Sequence, residues 1–531
     1  MSQPPGRSDV RLAELLGVLS LVSDLGLGLP MEHALRQCLI ALRMADRLGL
    51  DEGAREATYY TGLLAWVGCH VDAYEQAKWF GDELAVKAEA RLVDFSNTAA
   101  DVAFVLRHLA AGRPMVGRAR AALGMVATGA MKDIDAILET HWRAVDGLSA
   151  SLGMNDDVRK SIEQTFERWD GRGSPHGAKG DDIRMTARLV NLADVVEVYH
   201  RAGGPEAACA VARERSGTQF DPELVELFCA DAGDLLRDLD AVTTWDRVIE
   251  AEPGLAVPLA DADLDAALEA IADFTDVKSP YTLGHSRGVA DLAGDGASTV
   301  GLSAADATAT RRAALVHDLG RLGVSNAIWD KEGELSVVEA ERVRMHPYLT
   351  ERTLASSPAL APLGAIAVQH HERLDGSGYP RGLKGEALLP TGRVLAAADV
   401  YRAKIEPRPH RTPASPAEAA SILRAEVRAG RLDGDAVEAV LRAAGHRPRQ
   451  RRDAVAGLTQ REIEVLRLLA RGLSTKQIAH QLRISRKTAA NHVEHIYTKL
   501  GVNNRALASL FAAKHGLVDP EPDPAQPAGL A

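Results

Sequence analysis

A phrase that occurs twice sets the strongest limit on how this chain can fold. QTFERWDGRGSP, residues 164 to 175, returns as QHHERLDGSGYP at residues 369 to 380. A constant offset of 205 carries Gln164 to Gln369, Glu167 to Glu372, Gly171 to Gly376, Pro175 to Pro380, Arg188 to Arg393 and Asp194 to Asp399. An offset of 252 carries His33 to His285, Gly49 to Gly301, Leu63 to Leu315 and Gly68 to Gly320. Two offsets held over such lengths mark an internal duplication. Their difference places 47 extra residues in the first copy, between Cys69 and His141. The chain must therefore build one architecture twice, and any chemistry lost from one copy should be visible against the other.

Periodic apolar runs such as HALRQCLIALRMADRLGL dominate both copies and strand-like alternation is scarce, which predicts an all-α fold. With 531 residues, 46% of them hydrophobic, the chain is long enough for several cores. It lacks an apolar run of the roughly 20 residues that cross a bilayer, and its start lacks the order of a signal peptide, so a cytoplasmic location with no membrane partner is expected. The four cysteines, Cys38, Cys69, Cys209 and Cys229, have no C-x-x-C spacing and read as reduced core thiols.

Charge is unevenly spread. Leu458 to Val518 holds ten Lys/Arg against three Asp/Glu, about +7, so that the remainder of a chain of net charge −11 carries about −18. A basic module on an acidic body points to a nucleic-acid partner for that module. HRPRQRRDAVAG, 446 to 457, reads as a linker and 519 to 531 as a disordered tail. Within 458–518, TQRE and STKQ have capping-box spacing, Ser485 is a third N-cap, and Gly472 and Gly501 fall where helices stop. Ile463, Leu466, Leu469, Ile478, Leu482, Val493, Ile496 and Leu500 recur at helical spacing, with Ala489 on the inward side of the helix that follows Ser485. Lys487, Asn491, Glu494, His495 and Thr498 form a polar stripe on that helix, the second of a helix-turn-helix.

LTQRE, STKQIA, the Thr488 to Val493 segment TAANHV and KLGV, in that order, closely resemble the LuxR-type DNA-binding domain. The resemblance implies double-stranded DNA as partner, with Ala490, Asn491 and Glu494 at base edges and Lys476, Lys487, Thr488 and Lys499 at phosphates. It also implies a last helix, from Asn504, that pairs two chains in a homodimer. Ala489 stands where the family usually has Val, and Ala490 replaces a longer polar residue, shortening reach into the groove.

Between the copies, the second is rich in groups able to hold a metal: His285, His317, Asp318, His346, His370, His371 and Asp399. Alone each is a weak signal. As a set of imidazoles and carboxylates without thiolate they suit first-row ions such as iron or manganese, and a pair of such ions suits phosphoester hydrolysis. GHSRGVA, LVHDLGRLGVSNAIWDKEGELS, MHPY, HHERLDGSGYPRGLKGE and RVLAAADVY follow one another in the order of the HD-GYP family of cyclic-di-GMP phosphodiesterases, which they resemble. The resemblance implies that these seven residues ligate two divalent metal ions, iron or manganese, Tyr281 standing where some members carry a carboxylate for a third. It gives Asp318 and Arg321 catalytic roles. It places Gly376, Gly378, Tyr379, Arg408 and Arg411 at the substrate, cyclic di-GMP or a related nucleotide. Arg321 stands where the family has Lys, and the family's DALTSDRPYR is RAKIEPRPHR here, with Arg402 and His410 replacing familiar residues.

The first copy keeps the loop phrase and drops most of the ligands. Ala65 and Trp66 stand for His317 and Asp318, Thr165 and Phe166 for His370 and His371, and Ser174 for Tyr379, while His33, His141 and Asp194 remain. Trp66 and Phe166 are expected to fill the volume of the ions. The expected architecture is a degenerate HD-GYP-like domain (8–250), an HD-GYP domain (260–445), the linker, and a small four-helix LuxR-type helix-turn-helix domain (458–518). The function this predicts is a DNA-binding transcriptional regulator whose HD-GYP phosphohydrolase domain binds or hydrolyses cyclic di-GMP to modulate DNA binding. The alternatives are a phosphodiesterase merely localised by its DNA-binding domain, and an inert nucleotide sensor.

Overall fold

A computed structural model describes residues 7–93, 98–109, 133–239, 244–253, 258–445 and 458–517. The linker 446–457 and the tail 519–531 lie outside the described residues, as does Val518. The fold is all-α as expected, with one exception: Arg7–Arg11 pairs antiparallel with Pro258–Ala260 in a two-stranded sheet. The chain divides into two compact units, one of Met1–Ala267 with Leu322–Ala327, the other of Leu268–Arg321 with Ile328–Ala531. No helix among the described residues is long and apolar enough to cross a membrane. All four cysteines are free, Cys38 and Cys209 buried.

In the first unit the helices Leu12–Gly26, His33–Arg47 and Glu52–Leu64 pack on one another, the last two also on Met185–Glu214, around Leu16, Leu35, Ile40, Met44, Tyr59 and Leu63. In the second unit His285–Val300 is central and lies against Ala304–Val316, Pro390–Ile405 and Gly434–Gly445. Its buried face is Val289, Ala290, Ala293, Gly296 and Ala297, small residues that let helix axes approach closely.

The two copies share backbone detail that a core alone does not require. Gly68 and Gly320 each sit in a short 3-10 turn that meets a helix further along the chain, Asp133–Ser151 and His346–Leu354 respectively. A Cβ on Gly320 would lie 2.1 Å from the His346 carbonyl oxygen and 2.8 Å from the Thr350 nitrogen, and one on Gly68 would lie 2.6 Å from the His141 carbonyl oxygen. The phrase that opens the repeat is one loop built twice. Gly171 and Gly376 both have φ of 81°, a left-handed conformation that favours glycine. Ser174–Pro175 and Tyr379–Pro380 are both cis. Each loop is closed by the same carboxylate: Glu167 accepts from the His176 amide (2.7 Å), and Glu372 from the Arg381 amide (2.7 Å) and the Leu383 amide (2.9 Å).

The basic module consists of Gln460–Ala470, Thr475–Gln481, Arg486–Leu500 and Arg505–Lys514. Thr459 and Ser474 form capping boxes with Glu462 and Gln477, Ser485 caps the third helix through the Thr488 amide, and Asn504 caps the fourth. Val465, Leu466, Ile478, Ala489 and Ile496 are buried, while Ile463, Leu482, Val493 and Leu500 are half-buried at the edge of this small core.

Because no side chain at Gly320 or Gly68 can avoid backbone atoms, Gly320→Ala and Gly68→Ala should each cost about 1–3 kcal/mol from overpacking. Calorimetric melts would show the loss as about 2–4 °C per kcal/mol. Unchanged melting of both variants would contradict the close approach described above.

Candidate metal centre

Helix ends deliver most of the polar side chains of this centre. His285 is the first residue of His285–Val300 and His346 the first of His346–Leu354, while His317 closes Ala304–Val316 and Asp318 follows it. His370 and His371 come just after Ala361–Ala367, and Asp399 projects from the interior of Pro390–Ile405. Thr350 ties two of these elements together: its hydroxyl donates to the His317 carbonyl (3.0 Å) and accepts from the Gly320 amide (2.9 Å). The structure brings all seven residues singled out in the sequence into one buried cluster, His371 alone being half-buried.

Asp318 lies between two groups of histidines. Its Oδ2 faces His317 Nε2 at 3.6 Å and His285 Nε2 at 3.8 Å, and its Oδ1 faces His346 Nε2 at 3.3 Å and His370 Nε2 at 3.7 Å. Asp399 faces His285 Nε2 at 3.3 Å through Oδ1 and His371 Nδ1 at 3.8 Å through Oδ2. The ligand atoms of His346, His370 and His371 gather within 4.8 Å of one another, as do those of His285, His317 and Asp399, and those of His317, Asp318 and His370.

The outer nitrogens are fixed from behind. Nδ1 of His317, His346 and His370 lies 2.7, 2.6 and 2.7 Å from the carbonyl oxygens of Ala314, Val343 and Ala367, three residues earlier in each case. This selects the tautomer with Nδ1–H and leaves Nε2 as a lone pair aimed inward, the arrangement a metal-binding histidine requires. Burial, with the neighbouring imidazoles, lowers His370 to about 3, and burial lowers His317 and takes His371 well below its ordinary value, so all three favour the neutral imidazole, the form able to bind a cation. Burial alone would raise the Asp318 and Asp399 carboxyls. The imidazoles, with Arg321 at Asp318, reverse that and hold both far below the usual carboxylate range. The donor set fits a cation, because His317 Nε2 is wholly buried with no hydrogen-bond partner, a desolvation cost that a bound ion would remove.

Glu406 belongs to this centre and was not singled out in the sequence. Its Oε2 lies 2.8 Å from His285 Nδ1 and 3.1 Å from Arg408 Nη2, and its Oε1 lies 3.1 Å from Arg402 Nη2. Burial works against a charge on either partner, yet the pairing lowers Glu406 to about 2 and, together with Asp399, raises His285 to about 10. The repeat held the signal. The 205-residue offset maps Glu197 and Arg201 onto Arg402 and Glu406, the same i,i+4 ion pair with its charges exchanged. In the first copy Glu197 occupies the earlier position and reaches His33 Nδ1 at 2.5 Å.

The groups proposed for substrate divide. Arg321 donates to Asp318 Oδ2 (3.2 Å) and lies 3.8 Å over the Trp329 ring, beside the histidines. Tyr379 stacks on His371 with ring centres 4.7 Å apart. Gly378 lets the loop fold back on itself, since a Cβ there would lie 2.5 Å from the His371 carbonyl oxygen. Arg408 and Arg411 are turned to protein instead, Arg408 to Glu406 and the Tyr281 carbonyl, Arg411 to the Ala403 and Lys404 carbonyls. His410 is exposed. In the basic module Lys476, Lys487, Thr488, Ala490, Asn491, Glu494 and Lys499 are all exposed. Lys499 Nζ also donates to Glu462 at 2.7 Å.

In the first copy the three surviving ligand residues serve other ends. His33 Nε2 meets Asp194 at 2.9 Å, Arg91 meets the same Asp194 oxygen at 3.0 Å, and His141 Nε2 meets the Ala65 carbonyl at 2.7 Å. Trp66 and Phe166 pack edge to face, 5.3 Å between centres. They do not fill the space as expected: a cavity of about 280 Å³ remains beside them.

The family description "HD domain" matches residues 130–224 and 269–436, and "Bacterial regulatory proteins, luxR family" matches 456–512. A 3'3'-cGAMP-specific phosphodiesterase of Vibrio cholerae is 33% identical over 404 residues, 75% of this chain and 87% of that protein. A cyclic di-GMP phosphodiesterase of Thermotoga maritima is 36% identical over 148 residues, 28% of this chain and 40% of that one. The crystal structure of a cyclic GMP-AMP-specific phosphodiesterase of V. cholerae matches with a TM-score of 0.57 and 28% identity, over 82% of this chain and 98% of that one. With the buried histidine and aspartate cluster behind its GYP loop and this breadth of likeness, the chain belongs to the HD-GYP family of HD-domain phosphodiesterases, and it carries a luxR-family module after its HD domains.

Proposed function

We propose that the second copy hydrolyses a 3',3'-linked cyclic dinucleotide, cyclic di-GMP or cGAMP, with two divalent ions of iron or manganese, and that the luxR-type module carries this activity to DNA. The observation that carries the reading is Asp318, whose two oxygens face separate histidine groups, His285 and His317 through Oδ2 and His346 and His370 through Oδ1. Together with His371 and Asp399, these residues would hold the ions. Such an ion pair supplies an activated water and neutralises charge on the phosphate and on the leaving oxygen.

The chain's own residues do the positioning. Arg321, held over Trp329 and against Asp318, presents a planar guanidinium to a phosphate at the mouth of the cluster. Tyr379 and the close-packed backbone at Gly376 and Gly378 form the wall where a guanine can stack. Glu406 is a positioning residue: it fixes the His285 ring and keeps its inner nitrogen on Asp399. Arg408 and Arg411 would have to leave their carbonyls to meet substrate, so Arg321 is the first phosphate contact in this reading.

For the basic module, the exposed stripe Lys487, Asn491 and Glu494 supports entry of Arg486–Leu500 into the major groove, with Asn491 and Glu494 able to read adenine and cytosine edges. A homodimer paired through Arg505–Lys514 would set the half-site spacing, and nucleotide binding in the second copy would bias it.

The reading is tested with purified protein, Mn²⁺ or Fe²⁺, and each of cyclic di-GMP and 3'3'-cGAMP. Asp318→Asn should abolish linear product and lower metal content measured by mass spectrometry, and retained turnover would overturn the assignment. Glu406→Gln should lower metal affinity or activity by about 10–100-fold with the fold intact. Wild-type metal affinity together with wild-type activity in that variant would remove Glu406 from the centre. On DNA, Lys487→Ala should weaken binding to all sequences and reduce the slope of log affinity against log salt by about one. Asn491→Ala should instead relax sequence preference, and equal losses on every sequence would count against base reading.

A further inference from the structure

The cavity left in the first copy has a chemical character of its own. Its walls include two aromatic rings, Trp66 and Phe166, and four cationic side chains, Lys87, Arg91, Arg168 and Arg215. Two acids also line it, Asp72 and Asp194. Asp194 is already shared between His33 and Arg91, and burial raises Asp72 to about 8, leaving it uncharged at neutral pH. Burial lowers Lys87 as well, so the positive charge facing the cavity is carried by the guanidinium groups of Arg91, Arg168 and Arg215.

Several polar atoms there have no hydrogen-bond partner in the protein. Lys87 is only 9% exposed, and its ammonium makes no hydrogen bond. Arg215, 3% exposed, donates through its terminal nitrogens to Gln219 and the Leu92 carbonyl, but its Nε has no acceptor. The buried Gln76 Oε1 is likewise unpartnered. An unpaired buried ammonium is costly, and keeping one makes physical sense where an anion comes to it. Arg91 lies 4.8 Å over the Trp66 ring, so an aromatic face and positive charge adjoin one another.

We propose that this cavity binds a single nucleoside monophosphate, its phosphate meeting the Lys87 ammonium and its base lying against the Trp66 and Phe166 wall. A volume of about 280 Å³ is at the small end for ligand pockets, which suits one nucleotide and not a cyclic dinucleotide. The amide of Gln76 can serve the hydrogen-bonding edge of a base. The first copy thus exchanged a metal-centred site for a metal-free one, with Arg91 on Asp194 where the second copy keeps Asp399 among imidazoles.

The test uses full-length protein carrying Asp318→Asn, in EDTA, so that the second copy contributes no metal-dependent binding. Calorimetric titration with 5'-GMP and 5'-AMP should give saturable binding of one nucleotide per chain, with inorganic phosphate alone and guanosine alone each at least tenfold weaker. Adding Lys87→Met should weaken nucleotide binding tenfold or more, while leaving the nucleotide-free melting temperature unchanged or raised, since an unpaired buried charge is removed. Failure of both nucleotides to bind at millimolar concentration would overturn the proposal, as would undiminished binding by the Lys87→Met protein. A lower melting temperature of that variant without nucleotide would also overturn it, by showing that Lys87 is a structural ion partner.

Discussion

A carboxylate held ionised in the protein interior is the interaction on which the second copy turns. Asp318 is 3% exposed, and desolvation alone would make it a neutral acid. Burial is opposed by the Arg321 guanidinium, 3.2 Å from Oδ2, while four imidazole nitrogens face its two oxygens from separate elements. Each imidazole is in turn held by a carbonyl or by Glu406, so the orientation of Asp318 depends on helix ends tens of residues apart in sequence. Gly320 and Thr350 are where those ends are pinned together.

The first copy shows what the same scaffold does once its ligands are gone. Ala65 and Trp66 replace the histidine and aspartate, and Arg91 brings a fixed positive charge to Asp194. The loop phrase survives because Glu167, its glycines and its proline serve the backbone. The conserved part of the repeat is therefore the part with a mechanical job, and the altered part is the part with a chemical one.

Much of this was legible in the sequence, for identifiable reasons. Offsets and helical periodicity are local or additive signals, so the duplication, the all-helical fold and the caps at Thr459, Ser474 and Ser485 are read directly, while the resemblance in motif order is what joins the seven polar residues into one set. What escaped depends on distant or relational facts. The Arg7–Arg11 strand finds its partner some 250 residues away, a pairing that no local pattern carries. Glu406 lies in a stretch that departs from the family phrase, and its role emerges only when the exchanged pair Glu197 and Arg201 is set against Arg402 and Glu406. Trp66 and Phe166 have the bulk to fill a void, but their edge-to-face contact leaves room beside them. The resemblance places Arg408 and Arg411 at the substrate, whereas the structure turns both to backbone carbonyls.

The loop-closing glutamate has a wider meaning for how such a centre is maintained. Glu372 accepts from the amides of Arg381 and Leu383 with its two oxygens, and Glu167 keeps one such contact, to the His176 amide, its Oε2 being left without a partner. The contact that closes the loop is therefore made by groups other than those that would hold a cation, and the first copy keeps such a contact although four of the seven polar positions of the cluster are replaced there.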